Sequence, residues 1–125
     1  MAKRISILRP TRREDEIHVV PAGEVIFRAG DPGDVMYLVK SGWVDISLGG
    51  EILDSVGPGG IFGEMALIGD EPRSATAVAR TDCTLTPIDE ARFEFLVQET
   101  PYFAVMVMRV LADRLRRSNE RALGR

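Results

Sequence analysis

The residues with the strongest chemical signal lie in one run, Gly59-Gly60-Ile61-Phe62-Gly63-Glu64-Met65-Ala66-Leu67-Ile68-Gly69-Asp70-Glu71-Pro72-Arg73-Ser74-Ala75-Thr76-Ala77. Residues 64–68 are enough for about one helical turn. The unpaired backbone N–H groups at its start can receive an anion, and Gly63 lets that anion come close. Arg73 is expected at the start of the following strand. Its planar guanidinium can hold two phosphate oxygens, and the hydroxyl of Ser74 adds a donor beside it. Glu64 cannot face the same phosphate, because like charges repel; its useful partner is a hydroxyl or amine nearby, such as that of a sugar. A phosphate joined to a sugar satisfies both demands. Taken singly, these residues say little: an arginine usually serves in a surface ion pair, and a lone helix glutamate is usually solvated. Met65, Leu67 and Ile68 read as core packing apart from their backbone amides.

Other chemistries lack the residues they need. The one cysteine, Cys83, cannot form an internal disulfide, and the one histidine, His18, cannot build a multi-histidine metal site. A metal centre of the cupin kind is therefore weakly supported. A Ser/His/Asp or Cys/His hydrolase would have to use His18, which sits in Ile17-His18-Val19-Val20 and reads as an ordinary strand residue. A phosphodiesterase needs clustered His and Asp ligands for metal ions. We therefore expect no enzyme, no metal and no cofactor. Trp43 and Cys83 read as packed, structural residues.

Glycine and proline punctuate the first two thirds of the chain, at Pro21-Ala22-Gly23, Gly30-Asp31-Pro32-Gly33, Ser41-Gly42, Gly49-Gly50 and Gly57-Pro58-Gly59-Gly60. Between them, strands are expected at 17–20, 25–28, 36–40, 43–48, 51–56, 74–79 and 83–88, each β-branched, aromatic or alternating in polarity. Many short strands with frequent turns make an antiparallel sandwich or barrel. Gly49-Gly50 marks a two-residue hairpin. After Ile88 the period changes to that of helices. Residues 91–99 form one, and Thr100-Pro101 begins a second. Phe103, Met106, Val107, Val110, Leu111 and Leu115 share a face of that second helix, widened by Ala104, Val105, Met108 and Ala112. So wide a stripe needs cover from the sheet, the shorter helix or a second copy of the chain.

The chain has 125 residues, 45% hydrophobic and 28% charged, as expected of one folded domain with one core. No stretch approaches the roughly 20 apolar residues that span a bilayer. The basic start, Lys3 to Arg13, lacks the apolar segment of a secretory signal, so membrane insertion is not expected and the cytoplasm is the expected location. The net charge of −3 hides a segregation: basic ends enclose an acidic middle whose cations are Arg28, Lys40, Arg73, Arg80 and Arg92. Direct nucleic-acid binding is disfavoured by this middle. The C-terminal arginines lack interleaved aromatics and read as a solvated helix face.

The run Phe62-Gly63-Glu64-Met65-Ala66-Leu67, followed by Pro72-Arg73-Ser74-Ala75-Thr76, resembles the phosphate-binding cassette of cyclic nucleotide-binding domains of the catabolite activator and protein kinase A regulatory type. The resemblance extends from about Val20 to Asn119 and includes Pro21-Ala22-Gly23-Glu24, Gly30-Asp31-Pro32-Gly33-Asp34 and Met36-Tyr37-Leu38-Val39-Lys40-Ser41-Gly42. It implies an eight-stranded antiparallel β-roll over 17–90, with the cassette at 62–77 and helices over 91–125, all within a single domain 1–125 whose first 16 residues are a basic lead. It also implies roles: Arg73 on the exocyclic phosphate oxygens, Glu64 on the ribose 2′-hydroxyl, and Ser74 with amides near Gly63, Met65, Ala66 and Ala75 on the phosphate.

Phe27, Ile46, Leu53 and Val56 are the candidates for the base pocket, and Ser118-Asn119 resembles the polar pair that meets the base in catabolite-activator-like proteins. Cyclic AMP is the first expectation for the ligand, with cyclic GMP open because Ser74 could reach a guanine amino group. The implied function is a regulatory sensor whose lid, residues 102–123, shifts on binding and whose last helix could pair two chains. The alternative is a degenerate domain that keeps the fold for protein interaction or dimerisation, which would be expected to lose Glu64 or Arg73. No winged helix-turn-helix follows Arg125 and no transmembrane helix precedes the domain, so neither DNA reading nor channel gating is expected of this polypeptide. Nothing in the sequence names a protein effector.

Overall fold

The computed structural model describes residues 16–124; the basic run Lys3 to Arg13 lies outside them. The elements in chain order are β1 (His18–Val20), β2 (Val25–Phe27), β3 (Met36–Ser41), β4 (Val44–Leu48), β5 (Glu51–Val56), β6 (Ile61–Phe62), α1 (Glu64–Gly69), β7 (Thr76–Ala79), β8 (Cys83–Ile88), α2 (Glu90–Glu99) and α3 (Pro101–Ala122). The strands make two four-stranded sheets, ordered β1-β8-β3-β6 and β2-β7-β4-β5. Every pairing is antiparallel. This is the eight-stranded β-roll that the sequence implied.

Period-two alternation supplies the core. Val39, Phe62, Cys83 and Leu85 from one sheet cluster with Val44, Val56, Ala77 and Ala79 from the other. Small Ala77 and Ala79 accompany bulky Phe62, the alternation of sizes that lets facing layers interdigitate. The hairpin at Gly49-Gly50 forms as expected: both residues are left-handed, at φ 61° and 83°, and Leu48 pairs with Glu51 across the turn. The backbone twist of such a turn matches that of the strands it joins.

Several expectations need correction. β6 was not among the expected strands, since two residues are too few to show a period; both are buried, and both pair with β3. Ile17, Arg28 and Trp43 fall outside the strands, and Ser74 and Ala75 precede β7 rather than starting it. Trp43 is 43% exposed, with its ring laid against Gly57. Cys83 is buried as expected, its thiol 3.3 Å from the Trp43 carbonyl and 3.2 Å from that of Thr81. His18 is an exposed residue of β1.

α2 starts at Glu90, one residue early, because Asp89 caps it: the Arg92 amide donates to Asp89 Oδ1 at 2.8 Å. Pro101 opens α3, and Thr100 holds the cap position without a side-chain hydrogen bond. The described residues divide after Arg92 into two compact units, the roll and a helical unit beginning at Phe93. Within the helical unit, Phe93 and Phe103 meet edge to face at 5.6 Å. Met108 and Leu115 on α3 are 59% and 63% exposed. Among the described residues no single helix is long and apolar enough to cross a membrane.

Candidate functional site

Gly63 ends β6 and caps α1 with φ 80°, a conformation that side-chain-bearing residues adopt only with strain. The turn it makes carries Glu64 inward, where 2% of the residue is exposed. One helical turn has only one inner face. Ala66 and Leu67 share it, whereas Met65 and Ile68 are 50% and 45% exposed, so the expected core role of these two is corrected.

Arg73 stands in the loop after α1 rather than at the start of a strand. Two backbone bonds pin it to the turn at 30–33: the Gly30 amide donates to the Arg73 carbonyl, and the Arg73 amide to the Asp31 carbonyl, each at 2.8 Å. The Ala29 amide donates to Thr76 Oγ1 at 2.9 Å and continues the seam. The side chain then turns inward until only 6% of the residue is exposed. Its Nη1 donates to the Gly63 carbonyl at 3.1 Å. Its Cζ lies 4.0 Å from the centroid of the Phe27 ring. Its Nε is buried with no hydrogen-bond partner among the described residues. A guanidinium carries five N–H donors, and buried polar groups are almost always bonded, so this one has donors to spare for something else.

Arg73 is a buried cation with acidic groups around it. Burial pushes the Arg73 guanidinium below its ordinary pKa, and the Tyr37 phenol with the carboxylates of Asp34, Asp31 and Glu64 pushes it back up. Burial raises the Tyr37 phenol, the Arg73 charge lowers it and Asp34 raises it. Tyr37 also stacks on Phe62 at 5.3 Å and on Phe27 at 6.3 Å, so an aromatic wall backs the cation. Among the described residues no group of His, Cys, Asp and Glu could hold a metal ion.

The structure thus brings Gly63, Arg73 and Phe27 together, with Glu64 in electrostatic reach of Arg73. Ser74 is exposed, and Ala75 beside it is 8% exposed. The other base-pocket candidates are more dispersed. Val56 belongs to the core cluster, Ile46 packs against that cluster, and half-buried Leu53 falls at the register shift between β4 and β5. Ser118 and Asn119 are exposed residues of α3, in the helical unit. Gly33, Asp31 and Tyr37 were not singled out for the site. Gly33 and Asp31 belong to the turn Gly30-Asp31-Pro32-Gly33-Asp34 and Tyr37 to the run Met36–Gly42, both part of the family resemblance, but neither run by itself shows a contact with Arg73.

The model of the cyclic nucleotide-binding domain family matches residues 17–100. The chain belongs to that family. A cyclic nucleotide-gated potassium channel of Mesorhizobium japonicum is 42% identical over 95 residues, covering 76% of this chain and 26% of the channel. A cAMP-dependent protein kinase regulatory subunit of Eremothecium gossypii is 45% identical over 78 residues, covering 62% of this chain and 17% of the subunit. Among solved structures, the catabolite activator protein of Thermus thermophilus superposes with a TM-score of 0.75 at 37% identity, over 86% of this chain and 53% of that one. The chain therefore spans only a minor part of the curated relatives it matches. The β6–α1–Arg73 segment is the part of this cyclic nucleotide-binding domain whose sequence resembles the phosphate-binding cassette.

Proposed function

We propose that this domain binds cyclic AMP reversibly and works as a regulatory sensor. The observation that carries the reading is the buried Arg73 head, with Nε unpartnered and Nη1 on the Gly63 carbonyl. A cation desolvated to this degree gains most from an anion that fills its open donors. In this reading Arg73 holds the exocyclic phosphate oxygens, Glu64 the ribose 2′-hydroxyl, and Ser74 with the amides near Gly63, Met65, Ala66 and Ala75 the phosphate. Phe27, Ile46, Leu53, Val56, Ser118 and Asn119 remain the candidates for the base.

Cyclic AMP is favoured over cyclic GMP because a serine follows the arginine and because the kinase regulatory subunit named above is cAMP-dependent by name. Cyclic GMP is the second reading, favoured by the exposure of Ser74, which leaves its hydroxyl available to a guanine amino group. Nucleotide in the roll would favour one placement of α2 and α3 over another through its differential contacts. The exposed side chains of Met108 and Leu115 lie on one face of α3 and would pair two chains.

Isothermal titration with cyclic AMP, cyclic GMP and linear AMP tests the reading. Saturable heat with cyclic AMP, the ligand recovered intact, is the expected result. Conversion to linear AMP would mean a hydrolase. No heat with any of the three would leave the fold as an interaction module without ligand.

A further inference from the structure

Resting on the reading above, we propose that Phe27 is a positioning residue that holds Arg73 by its aromatic face and so keeps the guanidinium's donors available for a phosphate. The Arg73 Cζ lies 4.0 Å from the Phe27 ring centroid, well within the roughly 6 Å over which a cation is drawn to the negative face of a ring. The ring is itself held in place: its centroid is 5.9 Å from that of Phe62 and 6.3 Å from that of Tyr37. Phe27 closes β2, whose partner β7 follows the Arg73 loop, so the sheet brings ring and cation together.

The choice of an aromatic ring has a chemical consequence. A carboxylate at that point would hold Arg73 more firmly, but it would occupy N–H donors and set a negative charge where a phosphate must come. An aliphatic side chain would leave the face of the buried guanidinium without an attractive partner, and only the Gly63 carbonyl and the acids around it would offset its lost hydration. A ring face attracts the cation without accepting any of its hydrogen bonds in the guanidinium plane. That agrees with the pattern among the described residues, where Nη1 donates to the Gly63 carbonyl and Nε is buried without a partner.

The test is to replace Phe27 in the full chain by mono-, tri- and pentafluorophenylalanine, which keep the ring's shape while draining and then reversing its quadrupole. Cyclic AMP affinity measured by calorimetry is expected to fall stepwise, to about tenfold weaker at the pentafluoro ring. Phe27→Trp is expected to retain more affinity than Phe27→Leu. In the ligand-free protein, the Arg73 Nε–H resonance is expected upfield of its ordinary position because of the ring current, and Phe27→Leu should return it. Equal affinity across the fluorinated series, or an unshifted Nε–H resonance, would overturn the inference. A native chain that binds no cyclic nucleotide would sink the ligand reading instead, and the resonance would still decide whether Phe27 positions Arg73.

Discussion

A Cβ placed on Gly33 would sit 2.2 Å from Nε of Arg73, so the glycine leaves open the space that the buried guanidinium fills. Gly33 lacks a positive φ, so its role here is room rather than conformational freedom. The obstructed atoms are the far end of a flexible side chain, which can swing away. Gly33→Ala is therefore expected to fold normally while expelling the Arg73 head from its site. The midpoint of thermal unfolding should change little, and cyclic AMP affinity by calorimetry should drop at least tenfold. An unchanged affinity would mean that the ligand does not need Arg73 where it now lies.

Arg73→Ala is expected to remove a charge-assisted contact worth about 2–5 kcal/mol, weakening cyclic AMP at least tenfold. Glu64→Ala should cost less, and its mark should be a loss of discrimination: the variant is expected to bind cyclic AMP and its 2′-deoxy analogue alike, while the native chain prefers the former. If the variant still discriminated as strongly as the native chain, the assignment of Glu64 to the ribose would fail.

On the outside of the second sheet, Asp45 ties β4 to Ser55 on β5 and to Arg80, which follows β7. Arg80 Nη2 lies 3.0 Å from Asp45 Oδ1 and donates to Ser55 Oγ at 2.7 Å, while Ser55 Oγ donates to Asp45 Oδ1 at 2.8 Å. Burial pushes the Asp45 carboxyl up, but the hydrogen bonds from Arg80 and Ser55 and the Arg80 charge outweigh it and hold the carboxyl below its ordinary 3.8. A carboxyl held low by folding stabilises the protein above its unfolded pKa and ceases to do so as pH falls through the folded one. Urea unfolding from about pH 5 down to pH 3 should therefore show an acid loss that Asp45→Asn flattens. The Arg80 side chain is half exposed, so the effect should be on the order of 0.5–1 kcal/mol.

Met108 and Leu115 lie seven positions apart on α3, the repeat that keeps a helix seam facing a partner. Analytical ultracentrifugation is expected to find a dimer of the native chain and a monomer of Leu115→Glu, with the far-ultraviolet circular dichroism of the two alike. A native chain that sediments as a monomer at every concentration, with and without cyclic AMP, would remove the pairing from the proposal.

Local chemistry was already decided in the sequence. Gly49-Gly50 specifies its hairpin because both turn positions need left-handed backbone, and Pro101 opens α3 because it lacks the N–H that a first helical residue leaves unbonded. Gly63, Glu64 and Arg73 stand close along the chain, so their types and spacing pointed to a sugar phosphate before any strand was paired. The tertiary structure decided what surrounds them. Phe27 and Gly33 reach Arg73 only because β2 pairs with β7 and the turn at 30–33 hydrogen-bonds the Arg73 backbone. β6 has no period to read in two residues, and which side of α1 is buried depends on the layer beneath it. Near neighbours set turns, caps and charge. Local pattern and turn geometry set the register of neighbouring strands, but which distant strands pair depends on how whole layers pack.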